Sequence, residues 1–333
     1  MTMRYLLWLG IAAAAATGMP VSAQFLGKPD DPPRSAPSVE GGYWAPKPSK
    51  PTPYVAPNKV HWKLSAILAA HRGRTDWLQP LVRNAEQEAD YISLGAGTKT
   101  KRQMYADDRV LWIVQDGAMK VSIDGFEPIV ATKGFMVSVP YRNYYTIETI
   151  GDKPSLRFEV RRAGAKPLYP LSETPDPVEG KTYFKVARGT PGSARLENGN
   201  PIYVDFLKQV ASDDKPYNGK FVWDDHFTSN ILRGKAQPVA PDTSRGHFHV
   251  DFTEFWFIME GKIGYLIEGY PYFETEAGDV VTAATGRWHR ASNSPNAPMS
   301  TRIPLNPRPG ILHNFENEQS RAGPSAAPQT GRP

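Results

Sequence analysis

Three histidines and one glutamate carry the strongest chemical signal in this 333-residue chain. Gly246-His247-Phe248-His249 is followed by four residues and then Glu254, and His289 lies in Gly286-Arg287-Trp288-His289-Arg290-Ala291-Ser292-Asn293. Side chains alternate along a strand with period two, so His247 and His249 point to one face and Phe248 to the other. Glu254 lies five residues after His249 and cannot share that face in one uninterrupted strand. The residues between them must turn or bulge, and Glu254 re-enters from the next strand. Imidazoles with a carboxylate suit a divalent first-row metal: Mn, Fe, Co, Ni, Cu or Zn. Cysteine is absent, which excludes thiolate metal sites, disulfides and a Cys nucleophile.

The elements that position these groups read as strands. Short apolar runs such as Val110–Val114, Met119–Ile123, Phe135–Val139, Phe255–Ile258 and Ile263–Ile267 are cut by Gly, Pro, Asn and Asp. Such spacing predicts an all-β sandwich or barrel. Helical signals are few; Ser65–His71 and Asp205–Val210 are the candidates. An internal repeat runs at an offset of 144: Gly117 matches Gly261, Gly125 matches Gly269, Gly134 matches Gly278 and Trp112 matches Trp256. Shared glycines mark shared turns. The chain therefore divides into a first barrel over 59–166, a Pro-rich connection over 167–181 and a second barrel over 182–316.

These residues resemble the two motifs of the cupin superfamily. His247, His249, Glu254 and Gly261 fit the first motif, although Val239, Ala240 and Pro241 occupy the region of its leading glycine. Gly278, Gly286, His289 and Asn293 fit the second, with Ala284 in place of its proline. The resemblance implies two tandem double-stranded β-helix (jelly-roll) barrels. It also implies one divalent transition metal (Fe, Mn, Ni, Cu or Zn) held in the second barrel by His247, His249, Glu254 and His289. At the same offset the first unit offers Gln103, Tyr105, Val110 and Tyr145 instead. An amide, two phenols and an alkyl group do not make a divalent metal site. Pro140 is kept there, but Arg142 replaces the motif's glycine. The first unit is expected to be structural, filled by Tyr105, Tyr141, Tyr144 and Tyr145, and to support dimerisation.

Around the centre the strand pattern predicts apolar and aromatic walls. Trp256 and Ile258 share the parity of Glu254, and Phe255 and Phe257 face the other way. Arg302 and Tyr265 are the candidate polar groups beside Trp256, with Arg245 and Glu268 further off; Arg302 is suited to a substrate carboxylate. His226 and His313 have no spacing partner and read as ordinary.

The ends are a different matter. Met1–Ala23 reads as a cleaved signal peptide: Arg4, an apolar stretch from Tyr5 to Ala16, and Val21-Ser22-Ala23 before a cut at Gln24. The apolar run is too short to span a membrane. The expected location is periplasmic or secreted. Residues 24–58 hold nine prolines and form a linker or extended arm, with Tyr43, Trp44 and Tyr54 as anchors. Residues 317–333 are polar and are expected to be disordered. Lys and Arg number 39 against 34 Asp and Glu, with no run of five or six like charges, so nucleic acid is not an expected partner. Two functions stay open. One is a metalloenzyme acting on a small organic acid or phenolic compound, most simply a dioxygenase, with decarboxylase, lyase or isomerase chemistry on similar sites. The other is a non-catalytic protein that binds metal or a small ligand. A homo-oligomer is compatible with either.

Overall fold

The computed structural model describes residues 43–187, 200–236, 246–309 and 311–314. The readings made for Met1–Ala23, for 317–333, and for Val239, Ala240, Pro241 and Arg245 lie outside the described residues.

The short apolar runs do form strands, and they form them twice. In chain order these are β1 (His61–Trp62), β2 (Trp77–Arg83), β3 (Gln87–Leu94), β4 (Val110–Asp116), β5 (Ala118–Ile123), β6 (Ile129–Thr132), β7 (Phe135–Val139), β8 (Tyr145–Ile150) and β9 (Ser155–Arg162). There follow β10 (Tyr203–Asp205), β11 (Tyr217–Trp223), β12 (Thr228–Lys235), β13 (Glu254–Glu260), β14 (Lys262–Ile267), β15 (Phe273–Glu276), β16 (Val280–Ala283), β17 (His289–Asn293) and β18 (Met299–Asn306). Two short helices, α1 (Leu64–Ala70) and α2 (Phe206–Gln209), sit where the sequence placed its weak helical signals. Among the described residues no helix is long and apolar enough to cross a membrane.

Four antiparallel sheets result. One six-stranded sheet runs β10-β7-β4-β9-β3-β2 and closes a barrel with the three-stranded β6-β5-β8. The other runs β1-β16-β13-β18-β12-β11 and closes with β15-β14-β17. Paired turns share one backbone conformation: φ is 72° at Gly117 and 67° at Gly261, and 89° at Gly134 and 90° at Gly278. At Gly261 a side chain is also excluded by space, since a Cβ there would lie 2.1 Å from the Met299 carbonyl oxygen.

The units exchange edges. β1 opens the stretch read as the first barrel but pairs with β16 of the second, and β10 opens the strands of the stretch read as the second barrel but pairs with β7 of the first. The two six-stranded sheets share one apolar core, in which Leu111, Ile113, Phe158 and Val160 pack with Phe255, Phe257, Ile303 and Leu305. Phe158 stacks on Phe257 with ring centroids 5.1 Å apart. This explains why β13 reads as a continuous Phe-Trp-Phe-Ile run rather than an alternation: both of its faces are buried. Phe255 and Phe257 enter the shared core, while Trp256 and Ile258 enter the second barrel with Tyr265 and Val281.

The repeat departs from its constant offset in the outer strands: β2 and β3 correspond to β11 and β12 at an offset of 140, and the last strand slips by one residue. Trp112 on β4 lies opposite Glu159, whereas Trp256 on β13 lies opposite Pro304, one residue further along the last strand. Arg302 therefore takes the barrel position of Arg157. A one-residue slip exchanges the two faces of a strand, and here it places Arg302 inside the second barrel.

Candidate metal centre

His247 forms an isolated bridge to His289, the first residue of β17, through reciprocal N–H···O bonds of 2.9 and 2.8 Å. His249 then turns away toward Glu254, the first residue of β13, as the five-residue spacing demands. The side chains converge. Glu254 Oε2 lies 2.9 Å from His249 Nε2, 3.2 Å from His289 Nε2 and 3.8 Å from His247 Nε2. His289 Nε2 lies 3.1 Å from His247 Nε2. His249, Glu254 and His289 are buried and His247 is half-buried.

The donor set fits a divalent cation. His289 Nδ1 donates to the Arg287 carbonyl at 2.9 Å and His249 Nδ1 to the Leu312 carbonyl at 3.3 Å. A carbonyl only accepts, so in the neutral rings both Nδ1 atoms carry the hydrogen and both Nε2 lone pairs point at the carboxylate. Ligands about 2.0–2.2 Å from a common metal stand about 3 Å apart when adjacent, which matches the spacing of these four atoms. Burial works against the Glu254 charge, yet the imidazoles of His247, His249 and His289 packed around it hold its carboxyl well below the usual carboxylate range. Burial pushes the His247 imidazole down to about 3, against the pull of Glu254. Both groups are thus in the protonation state that metal binding requires.

The centre opens into a cavity of about 270 Å³, and its walls are not the apolar and aromatic ones expected. Leu232, Trp256, Pro304 and Ile311 do line it, but so do Asn218, Thr228, Asn230 and Asn306, and so do Arg290, Arg302 and Arg308. Asn218, Thr228, Asn230, Arg302 and Asn306 sit on β11, β12 and β18, where their alternation was present in the sequence but had no assigned face, whereas Arg290 lies on β17 and Arg308 follows β18. Arg302 donates to Asn293 Oδ1 at 3.2 Å. Tyr265 is fully buried against Trp256, with ring centroids 5.3 Å apart, and does not line the cavity. Glu268 is held by Lys47 at 2.6 Å. His226 lies 2.6 Å from Asp108 of the first unit. His313, read as ordinary, stands on the cavity wall with its ring 4.5 Å from that of His247. It lies beyond the last strand, where strand periodicity carries no information.

The first barrel repeats this framework without its chemistry. Gln103 bridges Tyr145 as His247 bridges His289, and Gln103 Nε2 donates to the Tyr145 hydroxyl at 2.9 Å. Arg142 adopts φ 65°, the left-handed conformation that Gly286 adopts at 74°. Its N–H donates to the Tyr105 carbonyl as that of Gly286 does to His249. Burial pushes both the Tyr105 and Tyr145 phenols up, away from the ionised form a metal needs. The interior is not filled by tyrosines alone: Tyr141 and Tyr144 are only half-buried and lie beside arginines. The positions that line the cavity in the second barrel hold ion pairs in the first. Arg161 donates to Asp90 at 2.8 Å and to Glu88 at 2.7 Å, and Arg157 donates to Glu159 at 2.9 Å. Where Arg302 and Asn306 face Leu232 and Thr228, Arg157 and Arg161 face Ile92 and Glu88. Charges paired in this way satisfy one another and occupy the volume.

No protein-family model and no curated protein matches the chain. Solved structures do. A salicylate 1,2-dioxygenase from Pseudoaminobacter salicylatoxidans in complex with gentisate matches with a TM-score of 0.53 at 12% identity, over 74% of this chain and 80% of that one. An oxalate decarboxylase from Bacillus subtilis matches with a TM-score of 0.47 at 13% identity, over 90% and 92%. A cupin 2 conserved barrel domain protein from Leptotrichia buccalis matches with a TM-score of 0.47 at 11% identity, over 74% and 96%. At such identities the likeness shows the fold: this chain has the all-β cupin fold, with jelly-roll barrels in tandem.

Proposed function

We propose that the protein is a metal-dependent enzyme of the exported compartment that acts on a small organic acid, most simply as a dioxygenase. The observation that carries this reading is the convergence of His247, His249, Glu254 and His289 at the wall of a cavity that also bears Arg290, Arg302 and Arg308. Among the described residues Glu254 is the one carboxylate on that wall, and three imidazoles surround it. An anionic substrate therefore suits the cavity better than an uncharged phenol. Arg302 presents a planar fork of donors matched to a carboxylate. Trp256 and Pro304 supply apolar contact for a ring or chain, and Asn218, Asn230 and Asn306 supply neutral hydrogen-bonding groups. A bound Fe or Mn would bring substrate and O₂ together and polarise a carbonyl or enolate oxygen. The carbonyls of Arg287 and Leu312 fix the orientation of His289 and His249, and the bound Glu254 stays ionised. The likeness in fold to salicylate 1,2-dioxygenase agrees with this reading.

The test is O₂ uptake by protein loaded separately with Fe(II), Mn(II) and Ni(II), against a panel of aliphatic and hydroxylated aromatic acids. O₂ consumption matched by substrate loss is the expected result. Tight binding of an acid with no turnover under any metal would instead identify a non-catalytic binding protein. Export rests on Val21-Ser22-Ala23, and an amino terminus at Gln24 in exported material is the expected observation.

A further inference from the structure

The N-terminal arm crosses the second barrel beside the metal centre. Thr52 Oγ1 donates to the Thr285 carbonyl at 3.1 Å and the Tyr54 hydroxyl to the Thr282 carbonyl at 2.5 Å. Pro48 occupies the space over Gly286, where a Cβ would lie 2.5 Å from its ring. Lys47 binds Glu268, whose other role is to accept the Trp288 N–H at 3.0 Å. Arg287 is the knot of this contact. It is buried, its guanidinium lies 4.9 Å from the Tyr54 ring centroid and 5.5 Å from that of Tyr270, and it donates to the carbonyls of Thr52 and Glu268. The loop so gripped holds two of the four candidate ligands. The Arg287 carbonyl accepts from His289 Nδ1, and the Gly286 N–H donates to the His249 carbonyl at 2.7 Å.

We infer that the arm is a working part of the metal centre: the side chains of Lys47, Thr52 and Tyr54, together with the positioning residue Arg287, fix the loop that orients His249 and His289. The inference rests on the metal-centre reading above. Groups that orient a ligating imidazole are worth roughly 10- to 100-fold in metal affinity. An extension that only covered apolar surface would leave that affinity unchanged. The fold places two of the arm's partners, Thr285 and Arg287, on the loop that contacts His249 and His289, so its effect passes to the metal first.

The test uses the full chain and Co²⁺ alone as the probe. Two proteins are compared with the wild type: Arg287→Met, and the arm variant Lys47→Met with Thr52→Val and Tyr54→Phe. The arm variant alters no residue of the barrel wall, so it keeps the question open should Arg287→Met fail to fold. Dissociation constants come from chelator competition, the ligand field from the visible Co²⁺ spectrum, and fold integrity from metal-free melting. The expected result is Co²⁺ binding weakened about 10- to 100-fold in the arm variant, with an altered spectrum and an ordinary metal-free melt. Wild-type affinity and spectrum in the arm variant would overturn the inference alone. So would weakening matched by an equal loss of metal-free stability. A wild type that binds no Co²⁺ would overturn the metal-centre reading and the inference together.

Discussion

Glu254→Gln separates a ligand from a structural carboxylate, because the two roles predict opposite behaviour with and without metal. Structural four-ligand zinc sites bind with about 10–16 kcal/mol, so one ligand accounts for roughly 2.5–4 kcal/mol, or about 10²- to 10³-fold in affinity. Where metal is in large excess over the wild-type dissociation constant, that loss removes about 2.7–4.1 kcal/mol of ligand-linked stability. For a chain of this size about 2 °C follows per kcal/mol, so the metal-loaded protein should melt roughly 5–8 °C below the wild type. The metal-free proteins should behave differently. Gln keeps the shape of Glu254, and its amide N–H₂ can donate to the Nε2 of His249, which lies 2.9 Å from the carboxylate. The buried charge disappears with it. Metal-free Glu254→Gln should therefore lose far less than the metal-loaded protein. Calorimetry with and without one equivalent of metal reads both quantities. An equal drop in both states would refute the reasoning and make Glu254 a structural residue.

Three further outcomes are expected. Arg302→Met should weaken binding of a small carboxylic acid by about 10- to 100-fold, as a charge-assisted hydrogen bond worth about 1.5–3 kcal/mol is lost, with metal content unchanged by elemental analysis. Phe257→Ala should cost about 3–5 kcal/mol in urea unfolding, since Phe257 is fully buried against Phe158 in the core shared by both barrels, and the two barrels should still unfold together. Burial holds His247 down at about 3, whereas in the unfolded chain it titrates near 6.5. Between these values the unfolded state binds more protons, so the metal-free protein loses stability as pH falls below about 6.5, by at most about 2 kcal/mol at pH 5. Urea midpoints that hold constant from pH 7 to pH 5 would contradict that environment for His247.

The repeat and the four candidate ligands were legible in the chain because both rest on local rules. A turn that needs φ near 70–90° selects glycine, so Gly117 and Gly261, or Gly134 and Gly278, announce the same corner twice. His-x-His places two imidazoles on one face whatever the strand later packs against. The inequality of the barrels was legible for the same reason, since Gln103, Tyr105 and Val110 differ in chemistry and not in geometry.

What only the tertiary structure decided depends on which strands meet. Arg302 was legible as a candidate, but the rest of the polar lining was hidden, because strand pairings and a one-residue slip in the last strand, which no residue type announces, decide that Asn218, Thr228, Asn230 and Asn306 line the cavity. The ion pairs that fill the first barrel join Glu88 and Asp90 to Arg161 across more than seventy residues, a separation that local periodicity does not bridge. The place of His313 on the cavity, the exchange of β1 and β10 between the units, and the grip of Lys47, Thr52 and Tyr54 on the ligand-bearing loop were likewise set by long-range contacts. Turn preference and strand alternation act within a few residues, so the sequence by itself determined the barrels and their candidate ligands. The cavity's charge, and what holds the centre in place, come from segments far apart in the chain, whose meeting is fixed only when both barrels close on their common core.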